Sequence, residues 1–254
     1  MNAVLAIASN AFRESVRDRV LWVIVGFALL VIAGGLFLSE LAIGQHGRVV
    51  RDFGLVVISV IGVVLAVFIG TALVHKEVDR RTIHAVLSKP VSRDAFVTGK
   101  FFGLALTLAV CTGTMGASLF VFGWIEGGAA HWPTLLAVAF TYGEQLLLIA
   151  LAVFFSTFVS PVMGAIYLFG LWIIGNALPF FLGAARASDN LVTKYVAGGL
   201  YYGLPNLSTF NIRDLIAQGL LPTFEQTLWA AIYLAAYAAV VIWLAGRVFA
   251  GRDL

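Results

Sequence analysis

The chain has 254 residues, of which 61% are hydrophobic and 11% charged, whereas soluble domains average about 45–50% apolar and about 25% charged residues. This composition argues against a soluble enzyme or binding domain and predicts an integral membrane protein with one membrane domain. The formal net charge is only +3, with no basic tail and no basic residues interleaved with aromatic ones, so nucleic acid is not an expected partner.

The first 19 residues are too polar to cross a membrane. Apolar residues recur at helical spacing, and charged residues occupy the opposite face. The pattern predicts an amphipathic helix lying in the membrane interface. The alternative is a cytosolic extension of the first span. The apolar face consists of Val4, Leu5, Ala8, Ala11, Phe12 and Val16, and the charged face of Arg13, Glu14, Arg17 and Asp18.

Six stretches are long and apolar enough to span a bilayer, which takes about 20 residues for a core about 30 Å thick. The sequence therefore predicts an all-α membrane protein in which residues 1–254 form a single transmembrane domain with six transmembrane helices. The predicted spans are residues 20–39, 53–74, 101–125, 135–159, 162–185 and 226–246. Glu40–Asp52 is predicted to be a polar loop, and Pro179 is predicted to interrupt the fifth span near its end.

Residues 186–225, between the last two spans, are predicted to form short helices at the outer surface that are partly re-entrant. Tyr195–Ile212 lacks charge, but its glycines, Pro205 and several polar residues are unsuited to a lipid-facing helix. A seventh span is therefore rejected.

The distribution of Lys and Arg favours cytoplasmic termini. In that orientation eleven basic residues lie on the inner side and five on the outer side. The outer five are Arg48, Arg51, Arg186, Lys194 and Arg213.

Residues 77–93 form the main charged passage between two apolar segments. Glu77–Ser88 is predicted to be a cytosolic helix with one apolar patch (Ile83, Val86, Leu87), ended by Pro90 because the residue before proline disfavours the helical region. The charges could simply be topology signals. An apolar patch on so short a loop, however, usually binds a partner, and we interpret the loop as a docking element for a separate protein.

No catalytic or metal site is evident in the sequence. Gly99-Lys100 lacks the remainder of a phosphate-binding loop, and neither a nucleophile elbow nor a zinc-binding helix motif is present. The histidines fall in four separate contexts, so no metal site is expected. Those histidines are His46, His75, His84 and His131.

The sequence resembles the ABC-2 type transporter permeases. The resemblance is carried by the run from Lys76 to Ile83, by Leu87-Ser88-Lys89-Pro90-Val91-Ser92-Arg93 and by Gly99-Lys100-Phe101. It is also carried by the charged N-terminal helix and by Leu204-Pro205-Asn206-Leu207 with Phe210-Asn211. The chain is also similar to the permease of the copper-processing transporter that serves nitrous-oxide-reductase maturation.

This resemblance implies an ABC-2 fold of the type V exporter kind, with a cytoplasmic coupling helix, in the inner membrane of a bacterium. It implies a homodimer or a heterodimer with a paralogue, and two copies of a separate ABC ATPase subunit that carries the ATP and Mg. This chain itself would hold no cofactor and catalyse no reaction. The residues implied to contact the ATPase are Glu77, Arg80, Arg81, Ile83, Leu87, Lys89 and Arg93, and those of the outer segment are Pro205, Asn206, Phe210 and Asn211.

Two polar residues within the predicted spans are candidates for an intramembrane role. Glu144 lies near the middle of the fourth span, where a carboxylate costs about 2.5–3.5 kcal/mol. Glu144 has either a functional role or a role in helix packing alone. Asn176 in the fifth span is expected to form a hydrogen bond between helices.

Three functions compete. The leading one is an ATP-driven exporter permease whose substrate the sequence does not reveal. The alternative is mechanotransmission, in which ATPase-driven motion remodels a periplasmic protein without moving cargo. A channel or carrier independent of an ATPase is disfavoured because paired intramembrane charges are lacking.

Overall fold

The structure is a computed structural model, and its described part is helical with no strand. It describes residues 4–15, 26–27, 29–30, 33–34, 46–79, 93–127, 132–187 and 191–251. We label residues 4–15 as α1. The remaining helices are α2 (His46–Asp79), α3 (Arg93–Gly127), α4 (Trp132–Ser156), α5 (Pro161–Ala187), α6 (Leu191–Gly203), a 3-10 helix (Leu207–Phe210), α7 (Arg213–Ala217) and α8 (Phe224–Ala250).

Among the described residues, five helices are long and apolar enough to cross a membrane. These stretches are Arg48–Thr71, Asp94–Trp124, Trp132–Ser156, Pro161–Ala187 and Phe224–Phe249. They overlap the second to sixth predicted spans. The first predicted span, residues 20–39, lies mostly outside the described residues, so the expected number of six remains a prediction.

The loop predicted at Glu40–Asp52 is wrong in its second half, because α2 already begins at His46. Charged residues end an apolar stretch but do not break a helix, and Val50 within this part is buried. At the other end of the bundle, α4 stops at Ser156 rather than Val159. The hydroxyls of Ser156 and Thr157 donate to the carbonyls of Val153 and Phe154 and compete with further helical turns.

The predicted interruption at Pro179 is also wrong, because α5 continues through it to Ala187. Proline removes one hydrogen bond, the one to the carbonyl four residues earlier, here that of Gly175. Helices of membrane proteins tolerate this loss when neighbouring segments pack against the altered turn. Here Pro205 and Leu207 pack against Gly175.

Helix α4 forms the centre of the bundle, in contact with α2, α3, α5 and α8. Its buried residues include Leu147, Leu148 and Ile149, each at most 1% exposed. Helices α5 and α8 lie at the periphery and expose large apolar side chains such as Ile173 and Trp243.

The antiparallel helices give the bundle two ends. At one end the start of α3 meets the end of α8, where the rings of Phe96 and Phe249 stack 5.7 Å apart. We call this the loop end, because α2 also leads from here into residues 80–92. At the opposite end the start of α2 approaches the end of α3, where the Arg51 side chain lies over Gly123.

At the loop end, two glycines four residues apart on α3 allow α1 to pack closely. A Cβ on Gly99 would lie 2.8 Å from the Ile7 Cβ, and one on Gly103 would lie 2.6 Å from the Ala11 Cβ. Such small-residue spacing is typical of close helix contacts in membranes. The glycine of the Gly99-Lys100 motif therefore has a packing role, and α1 lies against the bundle on its Ala11 side while Leu5 is exposed.

Candidate functional site: an inserted segment and a buried carboxylate

Glu144 lies on α4 inside the bundle and is only 2% exposed. One of its oxygens, Oε1, accepts two hydrogen bonds from α5, from Trp172 Nε1 at 2.8 Å and from Asn176 Nδ2 at 2.9 Å. Trp172 and Asn176 are four residues apart and therefore occupy one face of α5. Hydrogen bonds to a charged acceptor are worth about 1.5–3 kcal/mol each, so this pair offsets much of the cost of burying the carboxylate.

Further polar side chains surround this carboxylate on the neighbouring helices. Gln145 is fully buried, and its Oε1 accepts a 2.6 Å hydrogen bond from Thr112 of α3. Gly62 of α2 leaves room for the amide, since a Cβ there would collide with Gln145 Nε2. Gln145 Nε2 is a buried donor without a hydrogen-bond partner among the described residues, and Ser59 of α2 lies close enough to Glu144 to interact with it. Polar residues from four helices thus meet at one level of the bundle.

The segment Pro205–Asn211, which we call the inserted segment, enters the bundle from the end opposite the loop end. Leu207 is fully buried and Phe210 is 4% exposed. Two glycines make the insertion possible. A Cβ on Gly175 of α5 would lie 2.8 Å from the Pro205 carbonyl oxygen, and a Cβ on Gly143 of α4 would lie 3.0 Å from Phe210 Cδ1.

The depth of insertion follows from helix geometry. At a rise of 1.5 Å per residue, Gly143 lies about 16 Å along α4 from Trp132, and Gly175 about 18 Å along α5 from Ala187. A bilayer core is about 30 Å thick, so the inserted segment reaches roughly its middle. Gly143 is also the residue before Glu144, which places the inserted segment beside the buried carboxylate.

Polar contacts hold the inserted segment in place. The Asn206 amide donates to the hydroxyl of Tyr233 on α8 at 2.8 Å, while its side-chain oxygen accepts from Ser208 at 2.6 Å. Asn211 Oδ1 accepts from Arg213 Nε at 3.1 Å. Arg213 in turn lies close enough to Glu144 for a Coulombic attraction. The segment and the carboxylate therefore form one connected site.

The predicted ATPase-contacting residues are not brought together with this site. Arg80, Arg81, Ile83, Leu87 and Lys89 lie outside the described residues. Glu77 belongs to the last turn of α2 and Arg93 begins α3, although nothing is described of their side chains. Both positions are at the loop end, remote from the inserted segment.

Sequence reasoning missed the partners that define the site. Trp172 gave a signal, because it precedes Asn176 by one helical turn and so shares the helix face on which an interhelical hydrogen bond was expected. Tyr233, Gly143 and Gly175 gave none, since tyrosines and glycines are common throughout these spans. Their role depends on the tertiary position of the inserted segment.

A comparison with known protein families identifies the family of this chain. The model of the family described as "ABC-2 family transporter protein" matches residues 5–254. The chain belongs to the ABC-2 transporter family. It is therefore a multi-pass membrane permease subunit of an ABC transporter, a kind of subunit that is generally non-catalytic and works with an ABC ATPase partner. The match gives no support to the narrower similarity to the copper-processing permease, and among curated proteins no relative matches the chain.

Proposed function

We propose that this ABC-2 permease is the exporting subunit of an ATP-driven transporter and that the inserted segment closes its transport path at the end opposite the ATPase. The complex would contain two permease subunits, identical or paralogous, and two ATPase subunits that hold the ATP and Mg. Both termini and residues 77–93 would face the cytoplasm at the inner membrane of a bacterium.

The observation that carries this proposal is the depth of the inserted segment. A short 3-10 helix held in the middle of the bundle can be displaced only if α4, α5 or α8 moves. An outer surface loop would not be linked to helix motion in this way. Movement of the helices would therefore open or close a path beside Glu144, and the coupling residues at the loop end would supply the motion.

The basic residues support the proposed orientation. Lys100 and Arg247 lie towards the loop end, whereas Arg48 and Arg51 lie at the other end. This division matches the inner and outer groups counted from the sequence. It agrees with the excess of Lys and Arg found on the cytoplasmic side of membrane proteins.

The coupling assignment is tested with the double variant Glu77→Ala/Arg81→Ala. The full chain is co-expressed with its ATPase subunit and placed in lipid nanodiscs. We expect membrane insertion to be unchanged, while ATPase co-purification or permease-dependent ATP hydrolysis falls by about tenfold or more, since hot-spot contacts at interfaces are each worth about 2 kcal/mol or more.

A matched control is Arg186→Ala/Glu225→Ala, which also removes one acid and one base but from exposed positions on α5 and α8. It should co-purify and hydrolyse ATP as the wild type does. If the loop variant behaves like this control, residues 77–93 are not the coupling element. Mass spectrometry of lipids and proteins retained by the wild-type complex would define the cargo class.

The alternative of mechanotransmission to a periplasmic protein is favoured by one feature, the outer face of α6. Tyr195 and Tyr202 are 74% and 84% exposed there, next to exposed Leu191 and Val192. This face could bind a partner while the inserted segment relays the motion. Recovery of a stoichiometric periplasmic protein with the complex, lost in a Tyr195→Ser/Tyr202→Ser variant, would favour mechanotransmission over export.

A further inference from the structure

A second feature at the end opposite the loop end is a half-enclosed cavity between the starts of α2 and α4 and the chain that follows α7. Its volume is about 520 Å³. Neither the buried carboxylate nor the inserted segment lines it. Its lining includes Arg48, Arg51, Asp52, Trp132, Leu220 and Leu221.

The cavity presents two guanidinium groups against one carboxylate. Arg48 and Arg51 lie one turn apart on α2, and Asp52 is the acidic residue of the lining. Asp214 of α7 lies further away, within electrostatic range of Asp52. Arginine matches the geometry of phosphate oxygens because its planar group donates two parallel hydrogen bonds. The lining therefore favours an anion over a cation.

The helices that border the cavity add to this preference. Both α2 and α4 begin here, and neither carries an acidic residue in its first turn. The partial positive charge of a helix start is thus not neutralised by a side chain of the same turn. Arg51 is held in position by its aliphatic stem, which lies over Gly123 of α3.

The rim of the cavity is apolar. Trp132, Leu220 and Leu221 line it and are 57%, 55% and 44% exposed. Trp is enriched at the level of lipid headgroups, and exposed leucines at that depth lie beside acyl chains. A ligand that satisfies both parts of the site needs a phosphate and an apolar tail.

We propose that this cavity binds the phosphate headgroup of an anionic phospholipid from the leaflet at the end opposite the loop end. The guanidiniums of Arg48 and Arg51 hold the phosphate, and the acyl chains leave across the rim of Trp132 and the two leucines. Bound in this way, the lipid joins the start of α2 to the α7–α8 connection. This site does not depend on which cargo the permease moves.

The test uses the purified full chain in detergent, titrated with palmitoyl-oleoyl phosphatidylglycerol and followed by native mass spectrometry. Arg48→Gln/Arg51→Gln should weaken lipid binding by about tenfold or more, because each basic residue near an anionic headgroup contributes about a fivefold step. Asp52→Asn should strengthen binding by roughly two- to fivefold through the loss of a repulsive charge. The two variants change affinity in opposite directions, so the Asp52 result remains decisive even if the arginine variant fails to fold.

The matched control is Arg186→Gln/Lys194→Gln, which removes two exposed positive charges at the same end but outside the cavity. Its affinity should stay within about twofold of the wild type, as expected for screened surface charges. If both double variants weaken lipid binding equally, the lipid responds to general surface charge and not to the cavity, and the proposal is overturned. A separate arm adds inorganic phosphate alone at a concentration on the order of millimolar. Displacement of the lipid by phosphate would show that a free anion, not a lipid, is the ligand.

Discussion

Helices α4 and α5 contain 25 and 27 residues and are equally apolar, yet 16 residues of α4 are buried and only 5 residues of α5. Hydropathy alone cannot separate them, since lipid is as apolar as a helix surface and gives no hydrophobic reason to bury one rather than the other. The difference lies in small and polar residues. Helix α4 is surrounded by α2, α3, α5 and α8. On α5, by contrast, Trp172, Gly175 and Asn176 meet other segments from one face, while a Cβ on Gly170 or Gly183 would meet nothing within 4 Å.

We therefore expect α5 to be sensitive to substitution only along this face. The largest effect is expected for Gly175→Leu, because even its Cβ would meet the Pro205 carbonyl and the Leu207 side chain. Overpacking of this kind costs about 1–3 kcal/mol. Thermal unfolding in nanodiscs should show a clear loss of stability. The control is Gly183→Leu on the same helix, where a Cβ meets nothing within 4 Å, and it should be neutral or stabilising.

Equal destabilisation by the two leucines would mean that the inserted segment does not rest on Gly175. Loss of stability in Gly183→Leu alone would contradict the packing of α5 itself. Either result would require a different position for Pro205–Asn211.

A smaller effect is expected for Trp172→Phe, which keeps a buried ring but removes the donor to Glu144. Hydrogen bonds between membrane helices average about 0.6 kcal/mol and reach about 1.7 kcal/mol. Combined with Glu144→Leu, which removes both acceptor oxygens, in a double-mutant cycle, the coupling energy should be of that size and favourable. Trp229→Phe on α8, where the ring is 62% exposed, is the control and should show no coupling to Glu144→Leu.

If Trp172 and Glu144 show no coupling, the hydrogen bond between them does not contribute to stability, and Glu144 is buried without a stabilising partner on α5. The same cycle with Asn176→Leu separates the contribution of the two donors. Because Asn176 also donates to the Trp172 carbonyl on its own helix, its coupling should be weaker than that of Trp172.

Much of the helical framework could be predicted from the sequence because apolar length decides whether a helix crosses a membrane. The five spans identified within the described ranges all overlap predicted ones. Helix ends were less predictable. The start of α2 at His46 was missed because charged residues were assigned to a loop, and Pro179 was given too much weight as a helix breaker. The beginning of α8 at Phe224 follows from a capping box of Thr223 and Gln226, whose side chains each bond to the other's backbone amide.

The candidate site was predictable only in part. Glu144 and Asn176 were identifiable because polar side chains are rare and costly in a span. The sequence also indicated that Pro205, Asn206, Phe210 and Asn211 belong to an irregular outer segment. Its depth was not predictable, because it depends on Gly143 and Gly175 lying opposite each other in the folded bundle, and no local pattern carries that information.

In the proposed transporter, work delivered at residues 77–93 reaches the inserted segment. Cys111 is the sole cysteine and is fully buried, so a Thr209→Cys variant carries one reactive reporter at an exposed position of the 3-10 helix. Its labelling rate with a polar maleimide is measured on the complex with its ATPase, with and without ATP. We predict that ATP turnover changes the rate several-fold and that Glu77→Ala/Arg81→Ala abolishes the change. An identical rate with and without ATP, or the same change in the loop variant, would show that residues 77–93 do not transmit motion to the inserted segment.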